Sequence, residues 1–277
     1  NRSIFSRSLR RGIAETLAAG DQAILFLNRR GTATFVQCRD CGFALKCPRC
    51  DLALTHHGVE NMLICHQCGH KREVPAVCPS CLSGRIRFLG IGTQRVGEEV
   101  ARAFPKARVL RWDRDVTRGR NAHETILNSF LSHEADILIG TQMIAKGLDL
   151  PLVTLVGIRS ADTVLHFPDI RACERTFQLL SQVAGRAGRG SRPGRVIVQT
   201  YSPDHYAVAW GAKHDYASFY HQEIEYRRQL KNPPFSRLVS LVYAHSNGQA
   251  CRLGAERMHQ RLIEKRDSEG RDVDLIG

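Results

Sequence analysis

The chain has 277 residues, 43% of them hydrophobic and 24% charged, and carries a formal net charge of +13. This is a globular composition that excludes wholesale disorder, and at roughly 100–200 residues per domain it leaves room for about two domains. No apolar run approaches the roughly 18 residues of a membrane helix, and the opening NRSIFSRSLRR has no signal-peptide stretch; a cytoplasmic protein with a polyanionic partner and no membrane is expected.

Leu9, Ile13 and Leu17 fall at helical spacing with Gly20 as a stop, and AILFL then reads as a short buried strand. Asn28 to Gly31 turns the chain. Between residues 38 and 81 lie eight of the ten cysteines, as the Cys-x-x-Cys pairs Cys38/Cys41, Cys47/Cys50, Cys65/Cys68 and Cys78/Cys81. Two such pairs complete a tetrahedral thiolate site, so eight ligands predict two structural Zn2+ ions. Four pairs combine in three ways. The middle pairs enclose fourteen residues, close to a ribbon-type spacing, which favours nesting: Cys47, Cys50, Cys65 and Cys68 inside, Cys38, Cys41, Cys78 and Cys81 outside. Nesting brings the module's ends together, as an insertion into a host domain requires. His56, His57, His66 and His70 read as loop histidines, and Cys173 and Cys251 as buried thiols.

After the module, IRFLGIG, RVLRW, DILIG, LVTLVGI and RVIVQTY alternate with the helical stretches RVGEEVARAF, HETILNSFL and RACERTFQLLSQVAG. Strands alternating with helices predict an α/β fold with a parallel sheet covered on both faces, its ligands at the carboxyl ends of the strands. The expected organisation is one lobe over residues 1–37 and 82–202, the module over 38–81, and a helical linker with part of a smaller α+β domain over 203–277. In the last part residues 204–230 read as helical, Asn232-Pro-Pro234 breaks the chain, and SRLVSLVYA, a helix from about Cys251 to Lys265 and VDLIG read as a βαβ piece. Eleven of the thirteen net charges belong to the interrupted lobe. That makes the lobe the candidate for a phosphate backbone and leaves the module for protein contacts or local, non-electrostatic DNA contacts.

Two segments carry chemistry. Thr141 to Asp149 offers a hydroxyl for a phosphate oxygen, a glycine for close backbone approach and a carboxylate for a ribose. In Gln182-Val-Ala-Gly185-Arg186-Ala-Gly188-Arg189, Gln182, Arg186 and Arg189 follow the spacing of one helical face, so that two guanidinium groups reach one phosphate. Gly185 and Gly188 would weaken such a helix by about 1 kcal/mol each, which points to close packing near a ligand. Thr93, opening the helix after GIG, suits a DNA phosphate or an ordinary N-cap. Asp113 and Asp115 interleave with Arg111 and Arg114 as solvated ion pairs.

T-x5-G-x-D followed by Q-x-x-G-R-x-G-R resembles the second motor lobe of superfamily 2 helicases. With FLNRRG before the cysteines and GIGTQRV after them, nearly the whole chain resembles the PriA family of primosomal replication-restart helicases, and it is read as a fragment. The resemblance implies a RecA-like lobe, a two-zinc module with nested cysteine pairing, and a following C-terminal domain. It also implies an ATP-dependent 3′ to 5′ DNA helicase that recognises stalled forks, using ATP and Mg2+. Arg186, Arg189 and Gln182 would be catalytic; Gly147, Asp149 and Gly185 would meet nucleotide; Thr141, Gln142 and Thr93 would meet DNA. Implied partners are fork and single-stranded DNA, single-strand-binding protein, and the primosome proteins PriB and DnaT that lead to replicative helicase loading, for a monomer associated with the bacterial nucleoid. A GxxxxGK[ST] phosphate loop and an acidic magnesium motif are absent, so this stretch alone is expected to be inactive, with the first lobe upstream. A zinc-ribbon adaptor on a helicase-like scaffold and a motor on RNA are the competing readings.

Overall fold

The computed structural model describes residues 3–27, 35–57, 61–89, 93–113, 122–141, 150–185, 187–188 and 192–275. In chain order, α1 (Arg7–Ala18) and β1 (Gln22–Phe26) precede β2 (Phe35–Cys38), β3 (Thr55–His57), β4 (Met62–Ile64), β5 (Lys71–Glu73) and β6 (Ile86–Leu89). Then follow α2 (Thr93–Ala103), β7 (Val109–Trp112), α3 (Ala122–Leu131), β8 (Ile137–Gly140), β9 (Val153–Ile158), α4 (Asp162–Leu165), α5 (Ala172–Ala184) and β10 (Arg195–Val198). Three helices end the described chain, α6 (Tyr206–Lys213), α7 (Tyr216–Gln229) and α8 (Gly248–Glu269).

One sheet is parallel, in the order β10-β9-β1-β8-β7, with Ile24 of the central strand opposite Leu138 and Val156. Alternation along these strands fills both faces. Ile24, Phe26, Leu138 and Val156 pack with Phe130 of α3 and Phe177 and Leu180 of α5. Ala23, Leu25, Ile137, Ile139 and Leu155 pack with Leu9 and Ile13 of α1 and Val96 and Val100 of α2. The first helix starts at Arg7, because the Ser6 hydroxyl accepts the Leu9 amide at 3.2 Å, and it stops as expected before Gly20, whose φ is +71°.

The second sheet is antiparallel, in the order β5-β4-β3-β2-β6. IRFL, expected among the parallel strands, is β6 and pairs here, Cys38 opposite Ile86 and Phe35 opposite Leu89. The strands entering and leaving the cysteine-rich stretch thus satisfy each other's backbone groups. A four-residue apolar run does not specify which sheet it joins.

Past residue 202, Phe177 of α5 stacks on Phe219 of α7 with ring centroids 4.4 Å apart. Arg227 of α7 is held by Glu223 at 2.7 Å and Glu174 at 3.0 Å. The residues of SRLVSLVYA and the described residues of VDLIG form no strand: Val239 and Val242 are 83% and 85% exposed. Strand propensity is not enough where no described neighbour supplies a paired edge. The expected helix is present and longer than predicted, Gly248–Glu269.

Candidate metal centres and the edges of the parallel sheet

The eight cysteines form two four-sulfur clusters, Cys38/Cys41/Cys78/Cys81 and Cys47/Cys50/Cys65/Cys68, in each of which the sulfurs all lie within 4.8 Å of one another. This is the nested combination. Cys38 and Cys81 are 3.6 Å apart, Cys41 and Cys78 3.6 Å, and Cys47 and Cys68 3.5 Å. Such separations are far longer than the roughly 2.05 Å of a disulfide and close to the roughly 3.8 Å edge of a tetrahedron with Zn–S bonds of about 2.3 Å. The donor sets fit two structural zinc ions.

One backbone pattern repeats at all four pairs. The amide four residues after the first cysteine donates to that cysteine's carbonyl: Gly42 to Cys38, Asp51 to Cys47, Gly69 to Cys65 and Leu82 to Cys78, at 2.9 to 3.1 Å. The first cysteine's own amide donates to the next residue along, Phe43, Leu52, His70 or Ser83. Closing this turn requires the left-handed region, and φ is +78° at Gly42, +52° at Asp51, +68° at Gly69 and +60° at Leu82. In the first turn, the Cys41 amide, aided by that of Asp40, pulls the Cys38 thiol down to about 7 against the effect of burial, towards the thiolate a metal needs. Among the described residues no histidine joins either cluster; His57 and His66 bond each other at 3.0 Å, and His56 bonds Asn61 at 3.1 Å.

The module is fixed to the parallel sheet and to α7. Gly42 lies so close to Tyr201, after β10, that an added Cβ would stand 2.5 Å from its Cβ. Asp51 accepts from Lys46 at 2.8 Å and from the Tyr226 hydroxyl of α7 at 2.5 Å. Between these attachments is a cavity of about 480 Å³, lined by His166, Cys173, His205 and Tyr206 among others. Burial holds His166 down at about 3 and His205 at about 4, and pushes the Cys173 thiol up to about 11. Cys173 and Cys251 are half-buried rather than buried.

At the carboxyl edge of the parallel sheet, Thr93 opens α2 but is 2% exposed; its hydroxyl donates to Asp113 at 2.6 Å and accepts from Arg111 at 3.3 Å. Asp113 itself is fully buried and paired with Arg111 at 2.8 Å, so the expected solvated pair is instead an interior one. Thr141 follows β8, half-buried. Arg159 follows β9 with its amide on the Phe26 carbonyl at 3.1 Å; it is only 7% exposed, and its Nε is buried without a hydrogen-bond partner. Burial, together with Arg39 and Arg95, lowers Arg159 to about 10. Asp162 nearby is pushed up by burial, although it accepts from Thr200 and from the Tyr201 amide. Neither Arg159 nor Asp162 was expected from the sequence, since one charge after an apolar run carries no motif.

The amino edge holds the second segment. α5 ends at Ala184, and Gln182 in its last turn is exposed. Gly185 caps the helix, and Gly188 turns left-handed at φ +74°, donating its amide to the Val153 carbonyl at 3.0 Å. A Cβ on Gly188 would meet the Gly194 nitrogen at 2.2 Å. Gly188 thus serves a crossing of two chain segments outside the helix, whereas a Cβ on Gly185 would meet nothing closer than the Gln182 carbonyl at 3.8 Å. Arg186, Arg189, Gly147, Asp149, Gln142, Arg114 and Asp115 lie outside the described residues.

A parallel sheet covered on both faces, joined to paired four-cysteine clusters, defines an α/β lobe bearing a zinc-ribbon-type module. The model of the helicase conserved C-terminal domain matches residues 98–191, and that of the PriA DNA helicase Cys-rich region matches residues 47–72. Replication restart protein PriA of Bacillus subtilis is 50% identical over 277 residues, 100% of this chain and 34% of that protein. Its counterpart in Synechocystis is 49% identical over 245 residues, 87% of this chain and 30% of the relative. The Chlamydia pneumoniae protein is 41% identical, covering 96% and 36%. The chain belongs to the PriA family of replication restart proteins and spans about a third of the length of these relatives. Among solved structures, the Hef helicase domain of Pyrococcus furiosus is similar at 18% identity and a TM-score of 0.36, over 74% of this chain and 27% of that one.

Proposed function

We propose that this segment is the second motor lobe and zinc module of an ATP-dependent 3′ to 5′ DNA helicase that recognises stalled replication forks and directs reloading of the replicative helicase. On this reading residues 1–37 and 82–202 are the lobe, 38–81 the inserted module, and 203–277 a linker with the start of a C-terminal domain. Arg186 and Arg189 stabilise charge on the γ-phosphate of ATP and Mg2+ held by a first lobe, Gln182 orients the nucleotide or the attacking water, and Gly147, Asp149 and Gly185 contact the nucleotide. Thr141, Gln142 and the start of α2 at Thr93 face DNA. Fork and single-stranded DNA, single-strand-binding protein, PriB and DnaT are the partners in this reading.

One observation supports the division of labour. Thr141 follows β8 at the carboxyl edge of the sheet, whereas Gly188 and Leu150 lie against Val153 at the amino end of β9. Residues 142–149 therefore connect a DNA-facing edge to a nucleotide-facing edge, the link that couples hydrolysis to movement along a strand. In the full-length protein, Arg186→Ala should lower DNA-stimulated ATP hydrolysis by about 10³-fold or more while fork binding stays near wild type. Retained hydrolysis would remove Arg186 from the catalytic role.

A further inference from the structure

Three arginines from separate parts of the chain lie within electrostatic reach at the carboxyl edge of the parallel sheet, Arg39 and Arg95 both acting on Arg159. Arg159 is the innermost: it is 7% exposed, its Nε is unpartnered, and no ion pair among the described residues includes it. Arg95, exposed, lies in the first turn of α2. Arg39, also exposed, belongs to the first cysteine turn, which the contact of Gly42 with Tyr201 presses onto this edge. Asp162, the carboxylate that acts on Arg159, is already used by the Thr200 hydroxyl at 3.1 Å and the Tyr201 amide at 3.1 Å.

A buried guanidinium with no hydrogen-bonded ion pair is costly, and two more cations within reach increase the cost. An arginine fork is suited to a phosphate oxygen pair, which would offset all three charges at once. We propose that Arg39, Arg95 and Arg159 form one site for a phosphate group of a nucleic-acid strand, shared between the first cysteine turn and the lobe. Its assignment to a strand rests on the motor-lobe reading and on position. The Gly188 turn, where that reading places the nucleotide, is at the other end of strands four to six residues long, roughly 13–20 Å away at about 3.3 Å per residue. Lowered as it is to about 10, Arg159 still carries its charge at neutral pH.

The test uses the full chain and two probes, inorganic phosphate followed by thermal shift and a 15-nucleotide oligothymidylate followed by anisotropy across salt concentrations. Phosphate should raise the melting temperature of the wild type and not that of Arg159→Met, which melts at or above the wild type without phosphate because the buried charge is gone. Arg39→Ala, Arg95→Ala and Arg159→Met should each weaken oligonucleotide binding by about tenfold and flatten the salt dependence by about 0.7 in slope. Sharing one phosphate, the Arg39→Ala/Arg95→Ala pair should lose less than the product of the single losses. An equal phosphate shift in Arg159→Met overturns the site. A lost phosphate shift with oligonucleotide binding unchanged in Arg159→Met and in the surface variant Arg39→Ala overturns the strand assignment. A wild type that responds to phosphate but binds no oligonucleotide overturns the strand assignment and the motor-lobe reading with it, leaving the anion site itself intact.

Discussion

In the parallel sheet every residue of β1 and β8 is buried, whereas in the antiparallel sheet all three residues of β5 are exposed and β3 and β4 are buried only in part. The first sheet has aliphatic cores on both faces. The second has two small ones among the described residues, Phe35 with Ala44 and Ala53, and a set of seven, Val36, Leu45, Cys47, Leu54, Leu63, Cys65 and Cys68, three of which are sulfur ligands of the inner cluster. A stretch this short cannot remove enough apolar surface from water to offset its own ordering, and metal ligation makes up the difference. The two sheets should therefore respond to different insults.

The largest separation comes from the cysteines. Cys65→Ser should lower zinc from about two ions per chain to about one and open the module to proteolysis, while the circular dichroism of the helices changes little; loss of helical signal in parallel would show that the two sheets fold as one. The reverse experiment is Leu138→Ala, in the parallel sheet. It should cost about 2–5 kcal/mol in unfolding free energy and leave zinc content unchanged, as read by denaturant titration and metal analysis. The junction between the sheets gives the smallest effect. His166 and His205 have folded pKa values of about 3 and about 4, below the ordinary value near 6.5, so the stability tied to their neutral rings is complete above about 6.5 and is lost as pH falls towards the folded values. His166→Leu should accordingly shrink the fall in melting temperature between about pH 7.5 and pH 5.5, and an unchanged fall would place the acid sensitivity at the cysteines.

Much of this was legible in the residues. The strand in AILFL, the helix after Ser6 and the alternating units that follow are set by periodicity and capping, both local properties. The nested clusters were legible because fourteen residues between Cys50 and Cys65 suit a ribbon and five between Cys41 and Cys47 do not. What escaped was set by partners distant in sequence. IRFL reads as any short buried strand until β2 claims it, and SRLVSLVYA has the composition of a strand but no described neighbour to pair with. The end of α5 at Gly185 and the left-handed turn at Gly188 were not read from the sequence, because a glycine inside a periodic stretch does not say whether it packs or stops a helix. The repeated left-handed residue after each cysteine pair was half visible, as glycine at 42 and 69, and hidden at Asp51 and Leu82. The lobe carries most of the net charge, yet Arg39 brings a module charge to the same edge, so overall charge underestimated what the first cysteine turn can reach.

The pairing of β2 with β6 has a wider consequence. Because Phe35 pairs with Leu89 across adjacent strands, the 53 residues between them are closed off by a neck no wider than a hairpin. Loop-closure entropy grows only slowly with length, and a neck that is already zipped makes the length beyond it nearly irrelevant to the host. The cysteine-rich stretch is in that sense a cassette: shortening it to a two-residue turn or exchanging it for another fold should not re-route the core of the parallel sheet. What such an exchange would forfeit are the remote anchors, Gly42 on Tyr201 and Asp51 on Tyr226. They turn a tethered passenger into a part with a fixed bearing.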